Sequence, residues 1–159
     1  MTTRPEIKTI QNLEAAFAGE SMAHIKYRYF AKIARAQGDE ATAKAFEETA
    51  DQEVMHAFGH LDLLYPKSTL TPAKCLEMAI AGETYEYTEM YPKFRETAVS
   101  EGNAAAVSEI DEQIEESREH AAFFQATLEK AAKRFAALAK VEERHANAYQ
   151  AQLDKVNAR

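Results

Sequence analysis

The scarcity of helix-breaking residues is the feature that most restricts the fold of this chain. Only five Gly and four Pro occur in 159 residues, and none follows Gly102. Gly and Pro interrupt helices, whereas Ala, Glu, Lys and Gln, which are plentiful here, favour them. The breaks predict helices over about 7–37, 39–64 and 73–100, and then 56 residues run without Gly or Pro. We therefore expect an all-α fold of the helix-bundle class.

Local signals mark where these helices begin and end. Gly38 and Asp39 should end the first helix and cap the second. Pro72 suits the first turn of the third helix, and Pro92 should kink that helix. At this length we expect one domain over 1–159.

Two internal repeats run through the chain. AFAGES (16–21) matches AIAGET (79–84), and the segment 43–57 matches 132–146 at seven of fifteen positions. This register aligns Glu53 with Glu142 and His56 with His145, which indicates a duplicated antiparallel helix pair. A second repeat relates 118–131 to 143–156 at a shift of 25, so about 104–130 is interpreted as a helical insertion.

Glutamates and histidines interrupt the apolar stripe of each predicted helix near its middle. Buried carboxylates repel one another and lose hydration, unless cations compensate. Glu-x-x-His places a carboxylate and an imidazole one turn apart on one helix face. One Glu from each of two helices and Glu-x-x-His from each of the other two form the inward ligand set of dinuclear iron and manganese bundles. The residues that match this pattern are Glu20, Glu83, Glu53 with His56, and Glu142 with His145, and the stripe of the third helix continues after Glu83 through Glu86 or Tyr87.

Other residues compete for this assignment or support it. Glu116 and His120 lie in the insertion, where Ser117 takes the place of Glu142, so we treat this pair as the fallback. His24 and His60 share the stripes, either as ligands or as hydrogen-bonded core histidines. The hydroxyls of two tyrosines, about two turns beyond Glu20 and Glu83, could hydrogen-bond metal-bound carboxylates or simply belong to the core. They are Tyr27 and Tyr91.

Composition excludes several other classes of protein. The net charge of −7 and the pI near 5.3 argue against binding nucleic acid or anionic membranes. No apolar run is long enough for a membrane span, and no signal peptide is recognised, so a cytoplasmic protein is expected. A single cysteine, Cys75, excludes a disulfide or a C-x-x-C metal site within these residues.

Three stretches resemble one known family. AFAGESMAHIKYRYF, ETADQEVMHA and AGETYEYTEMYPKF closely resemble the rubrerythrins, ferritin-like di-iron proteins of peroxide defence. The resemblance implies a ferritin-like antiparallel four-helix bundle that binds two iron ions. It implies as ligands Glu20, Glu53, His56, Glu83, Glu86, Glu142 and His145. It implies that Glu53 and Glu142 bridge the ions, and that one ion exchanges Glu86 for His56 on reduction. It also implies that Tyr27 and Tyr91 are second-shell tyrosines.

The resemblance favours a non-haem di-iron peroxidase that reduces hydrogen peroxide to water. Typical members carry a rubredoxin domain with paired C-x-x-C motifs, which these residues lack. Electrons should therefore come from an external donor, such as a rubredoxin-like protein or a flavin reductase. The alternatives are a ferroxidase that handles iron, a dinuclear manganese catalase, and a metal-free interaction bundle.

The last run of the chain poses a geometric problem for the ligand set. In an antiparallel bundle, the level of the metal site is reached about 15 to 18 residues after Gly102, near Ser117 and His120. A continuous helix would carry Glu142 about 37 Å further. Either the chain turns within 104–131, or its final helix completes the site of a partner subunit. No turn signal is visible, so we favour a homodimer with exchanged helices.

Overall fold

The computed structural model describes residues 8–158, and every regular element within them is a helix. The elements are α1 (Thr9–Ala36), α2 (Glu40–Leu64), a short 3₁₀ turn (Lys67–Thr69), α3 (Pro72–Tyr85), a π-helical turn (Glu86–Met90), α4 (Tyr91–Ser100) and α5 (Ala104–Asn157). The prediction of an all-α chain is confirmed. The predicted start of the first helix, Ile7, lies outside the described residues.

The helix ends follow the local chemistry that the sequence indicated. Gly38 has a φ of 83°, the left-handed conformation that glycine adopts without strain. Asp39 then caps α2 by accepting a hydrogen bond from the backbone N–H of Thr42 at 3.0 Å. Thr71 caps α3 in the same way, with Pro72 at its first position. These boundaries confirm the predicted breaks.

The predicted kink at Pro92 takes the form of a π-helical turn. Glu86–Met90 form this wide turn, and α4 begins with Tyr91 and Pro92. Proline has no N–H to donate and its ring crowds the preceding turn. A π-turn directly before it relieves that crowding, and such turns often lie at functional sites.

The chain divides into two compact units, Met1–Leu70 and Thr71–Arg159. In the first, α1 and α2 form an antiparallel hairpin whose contact is lined by small side chains. Ala31 and Ala43 are 1% and 0% exposed, and Ala34 lies beside them with Phe46 packed against the cluster. Small residues let two helices approach closely, which fixes the register of the hairpin. The prediction of a single domain stays a prediction.

In the second unit, α3, the π-turn and α4 pack along the first half of α5. The Arg95 guanidinium donates to Asp111 at 2.5 Å, and Arg118 lies 5.6 Å from the centroid of the Tyr87 ring. These pairs define an antiparallel register. The turn considered within 104–131 does not occur, because α5 is one continuous helix of 54 residues, about 81 Å long. The helical segment predicted at about 104–130 forms the first half of α5.

Candidate metal centre

The α1–α2 hairpin brings three of the predicted ligands together. One ligand atom from each of Glu20, Glu53 and His56 can be chosen so that all lie within 4.8 Å of one another. Glu53 and His56 are one turn apart on α2, and His56 Nδ1 lies 2.9 Å from Glu53 Oε2. The Glu53 side chain is 16% exposed, whereas that of His56 is 58% exposed. Two carboxylates and one imidazole at this spacing can hold a divalent metal ion, and oxygen and imidazole ligands suit iron or manganese.

The second unit holds another group of acids around α3 and the π-turn. Glu83 Oε2 lies 3.5 Å from His120 Nδ1, which α5 supplies. Ser117, one turn earlier on α5 and buried, donates a hydrogen bond from its Oγ to Glu86 Oε2 at 3.0 Å. This group therefore presents two carboxylates and one imidazole, like the group in the hairpin. A hydroxyl stands where the repeat would place a third carboxylate.

Tyr91 lies beside this second group. Burial raises the pKa of its hydroxyl, and the charges of Glu86 and Glu83 raise the pKa further. Negative neighbours disfavour the phenolate, so the hydroxyl keeps its proton well above neutral pH. Tyr91 can therefore donate a proton or hydrogen bond there. Glu116, the fallback acid, contributes a smaller repulsion to Tyr91 and accepts a hydrogen bond from Gln113 Nε2 at 3.3 Å.

Tyr27 and His24 lie in the hairpin with contacts of a structural kind. The Tyr27 ring packs 5.9 Å from the Phe46 ring and 6.5 Å from the Phe30 ring. His24 Nδ1 lies 2.8 Å from the carbonyl oxygen of Ala50, a hydrogen bond that ties α1 to α2. His60 is half-buried on α2. These positions favour the core interpretation for His24, while the role predicted for Tyr27 stays a prediction.

The structure does not bring Glu142 and His145 to Glu83. Both lie on α5, 25 residues beyond Ser117 and His120, and their side chains are 75% and 58% exposed. His145 Nδ1 lies 3.6 Å from Glu142 Oε2. Their assignment to the dinuclear centre stays a prediction. Sequence reasoning missed the contact of Ser117 with Glu86, although the 25-residue repeat already aligned this serine with Glu142.

An all-helical chain that presents Glu and Glu-x-x-His side chains from facing positions belongs to the ferritin-like class of carboxylate metal proteins. The chain belongs to the rubrerythrin family, whose family model matches residues 11–153. This membership confirms the resemblance and the ferritin-like fold class. Together with the Glu20, Glu53 and His56 group, it points to a di-iron centre.

The chain is also similar to individual proteins. The chain is 40% identical over 111 residues to the nigerythrin of Nitratidesulfovibrio vulgaris, covering 62% of this chain and 55% of that protein. It is 41% identical over 106 residues to the rubrerythrin of Porphyromonas gingivalis, covering 60% of this chain and 53% of that protein. A structure of fully reduced, all-ferrous nigerythrin aligns at 34% identity over 82% of this chain and 71% of that chain, with a TM-score of 0.40. The chain thus spans about half the length of the curated relatives it matches.

Proposed function

We propose that this protein is a non-haem di-iron peroxidase, which reduces hydrogen peroxide to two waters with two electrons and two protons. The observation that carries the proposal is the group formed by Glu20, Glu53 and His56, with donor atoms within 4.8 Å of one another. When bound, the two iron ions would supply the electrons and act as Lewis acids. The electrons would be replaced by an external donor, a rubredoxin-like protein or a flavin reductase, in the cytoplasm.

We further propose that His120, rather than Glu142 and His145, provides the remaining metal ligand. The contact of His120 with Glu83 at 3.5 Å supports this choice over the exposed Glu142 and His145. The proposed ligands are then Glu20, Glu53 and His56 in the first unit and Glu83, Glu86 and His120 in the second. In each unit, two carboxylates would balance the charge of one ferrous ion, which makes an occupied site far less costly to bury.

The remaining residues of the second unit would position ligands and supply protons. Ser117 donates to Glu86 Oε2 and so holds one carboxylate oxygen, leaving the other oxygen available for a metal ion. The Tyr91 hydroxyl, kept protonated by burial and by its acidic neighbours, is suited to deliver a proton near this carboxylate. Replacing Tyr91 by Phe should therefore slow peroxide reduction without lowering the iron content.

The proposal is tested by loading the protein anaerobically with iron and then measuring peroxide consumption with and without a reductant. We expect about two iron ions per chain, and consumption that stops when the reductant is exhausted. The Glu53→Ala variant should lose both iron and turnover. The matched control is Glu48→Ala, which removes an exposed carboxylate from the same helix.

Other outcomes would contradict the peroxidase assignment in specific ways. Peroxide consumption without any reductant would indicate a catalase, for which manganese is the alternative metal. Oxidation of added ferrous iron by dioxygen, with retention of the ferric product, would indicate a ferroxidase. Full iron content in Glu53→Ala would place the centre elsewhere.

A further inference from the structure

The C-terminal segment of α5, residues 131–156, carries a motif that the proposed peroxidase site does not use. The contacts of Glu83 with His120 and of Glu86 with Ser117 set an antiparallel register between α3 and α5. In this register the first residue of α3, Pro72, lies level with residue 131, so α3 does not extend along residues 131–156. Among the described residues from 132 to 158, only Val141 is even partly buried. The segment nevertheless carries an apolar stripe around Glu142 and His145.

The exposed stripe has the spacing of a helix that packs against another helix. Its members recur at alternating intervals of four and three residues, the heptad pattern of paired helices. Phe135, Leu138, Tyr149 and Val156 are 69%, 49%, 75% and 69% exposed. The whole stripe is Ala131, Phe135, Leu138, Glu142, His145, Tyr149, Gln152 and Val156.

Alanines beside this stripe have counterparts that are buried in the α1–α2 contact. The repeat aligns the segment with α2, where Ala43 and Ala50 are 0% exposed in the contact with α1. Their counterparts, Ala132 and Ala139, are exposed. In α2 this row of alanines at seven-residue intervals supports close antiparallel packing. In α5 the row lies immediately after Ala131 and Leu138, so small side chains flank the stripe.

The stripe is complementary to itself. The midpoint of 131–156 falls between Glu143 and Arg144, and Glu142 and His145 flank that midpoint symmetrically. In an antiparallel pair of two such segments about this point, each Glu142 faces the His145 of the other copy. The same register places Leu138 opposite Tyr149. If one segment were shifted by seven residues along the other, Glu142 would instead face Leu138, and seven residues at the end of each segment would have no partner.

We propose that residues 131–156 of two copies pair antiparallel, and that Glu142 and His145 of both copies bind one divalent transition-metal ion between them. Two imidazoles and two carboxylates form a four-coordinate ligand set of the kind that Zn²⁺ accepts. Within one copy, His145 Nδ1 and Glu142 Oε2 already lie 3.6 Å apart. Each copy thus supplies half of the ligand set, and the site is complete only in the dimer.

The size of the contact explains why the metal ion is needed. The segment is about 39 Å long, and a stripe about 10 Å wide on it covers on the order of 400 Å² per copy. Stable interfaces bury about 800 Å² per partner. The apolar stripe alone should therefore give a weak dimer, and metal binding at its centre should strengthen the dimer.

The first experiment measures the mass of the full iron-loaded protein by sedimentation equilibrium, with and without one added Zn²⁺ per two chains. We expect Zn²⁺ to lower the dimer dissociation constant at least tenfold. The His145→Ala variant should lose this response, whereas Asn147→Ala, on the outer face of the same turn, should keep it. A response retained by His145→Ala, or absent from the parent protein, would overturn the metal site.

A second experiment tests the register independently of metal. In a Cys75→Ser background, which removes the only native thiol, the double variant Leu138→Cys, Tyr149→Cys should oxidise to a covalent dimer. Asn147→Cys should remain monomeric under the same conditions. Absence of cross-linking in a double variant with parental helix content would overturn the pairing.

A third experiment separates this pairing from exchange of the helix into the partner's di-iron centre. Glu20→Ala and Glu142→Ala chains are mixed and loaded with iron. Exchange would regenerate one intact iron site per heterodimer and would contradict our proposal. We expect Glu142→Ala alone to keep its iron content, because Glu142 serves only the site between the two C-terminal segments.

Discussion

The close contact of α1 and α2 makes Ala43 a sensitive position. This residue is 0% exposed and lies in a cluster with Ala31 and Ala34. Replacing it by Leu adds three carbon atoms at a fully buried position of the α1–α2 contact. Such overpacking typically costs about 1–3 kcal/mol, because neighbouring side chains and backbone must shift. We expect Ala43→Leu to lower the free energy of unfolding by about 2 kcal/mol.

The internal repeat supplies the matched control for this substitution. Ala132 is the counterpart of Ala43 but is exposed on α5. Ala132→Leu carries the same change in helix propensity, so the difference between the two variants reports packing alone. In urea unfolding of the metal-free protein, followed by circular dichroism, Ala43→Leu should lower the midpoint by about 1 M. The free energy of unfolding of Ala132→Leu should lie within about 0.5 kcal/mol of that of the parent protein.

Two outcomes would refute this reasoning. A midpoint for Ala43→Leu equal to that of the parent would mean that the hairpin is not closely packed at this alanine. Equal destabilisation by Ala132→Leu would mean that the effect arises from the helix itself and not from the α1–α2 contact. The chain would then need another basis for the hairpin register that brings Glu20 to Glu53.

Three further predictions follow from particular contacts. Glu53→Ala should abolish iron binding, whereas Glu86→Ala should retain iron but slow peroxide reduction; equal iron loss by elemental analysis would contradict these roles. Asn103 caps α5, because its Oδ1 accepts a hydrogen bond from the Ala106 N–H at 3.1 Å. Asn103→Ala should therefore lower the free energy of unfolding, measured in urea, by about 1 kcal/mol. Arg35 lowers the pKa of Glu47 by hydrogen bonding, so this stabilisation is present above the ordinary value of 4.5 and is lost as the pH falls through the lowered pKa. Arg35→Gln should accordingly be less stable than the parent at pH 7, and the difference in melting temperature should vanish in acid.

No helix of the described residues is both long enough and apolar enough to cross a membrane. Even α5, the longest, carries charged residues throughout its length.

Local signals in the sequence by themselves determined the helices and the ligand pairs within each helix. Gly38 and Asp39 end and begin helices through bonds that reach only three or four residues, and Pro72 acts through its own ring. Glu53 and His56 share a face because of the helical repeat alone. These interactions are short-range, so the sequence predicts them without knowledge of the fold. The family resemblance, now confirmed, rests on the same local motifs.

Only the tertiary structure decided which part of α5 meets α3. The repeat relates His120 to His145, and the sequence favoured His145 because Ser117 takes the place of Glu142 beside His120. The choice depends on the register of α5 against α3, which is set by distant contacts such as Arg95 with Asp111. Because α5 continues without a turn, that register brings His120 to Glu83 and carries His145 about 37 Å further along the helix axis.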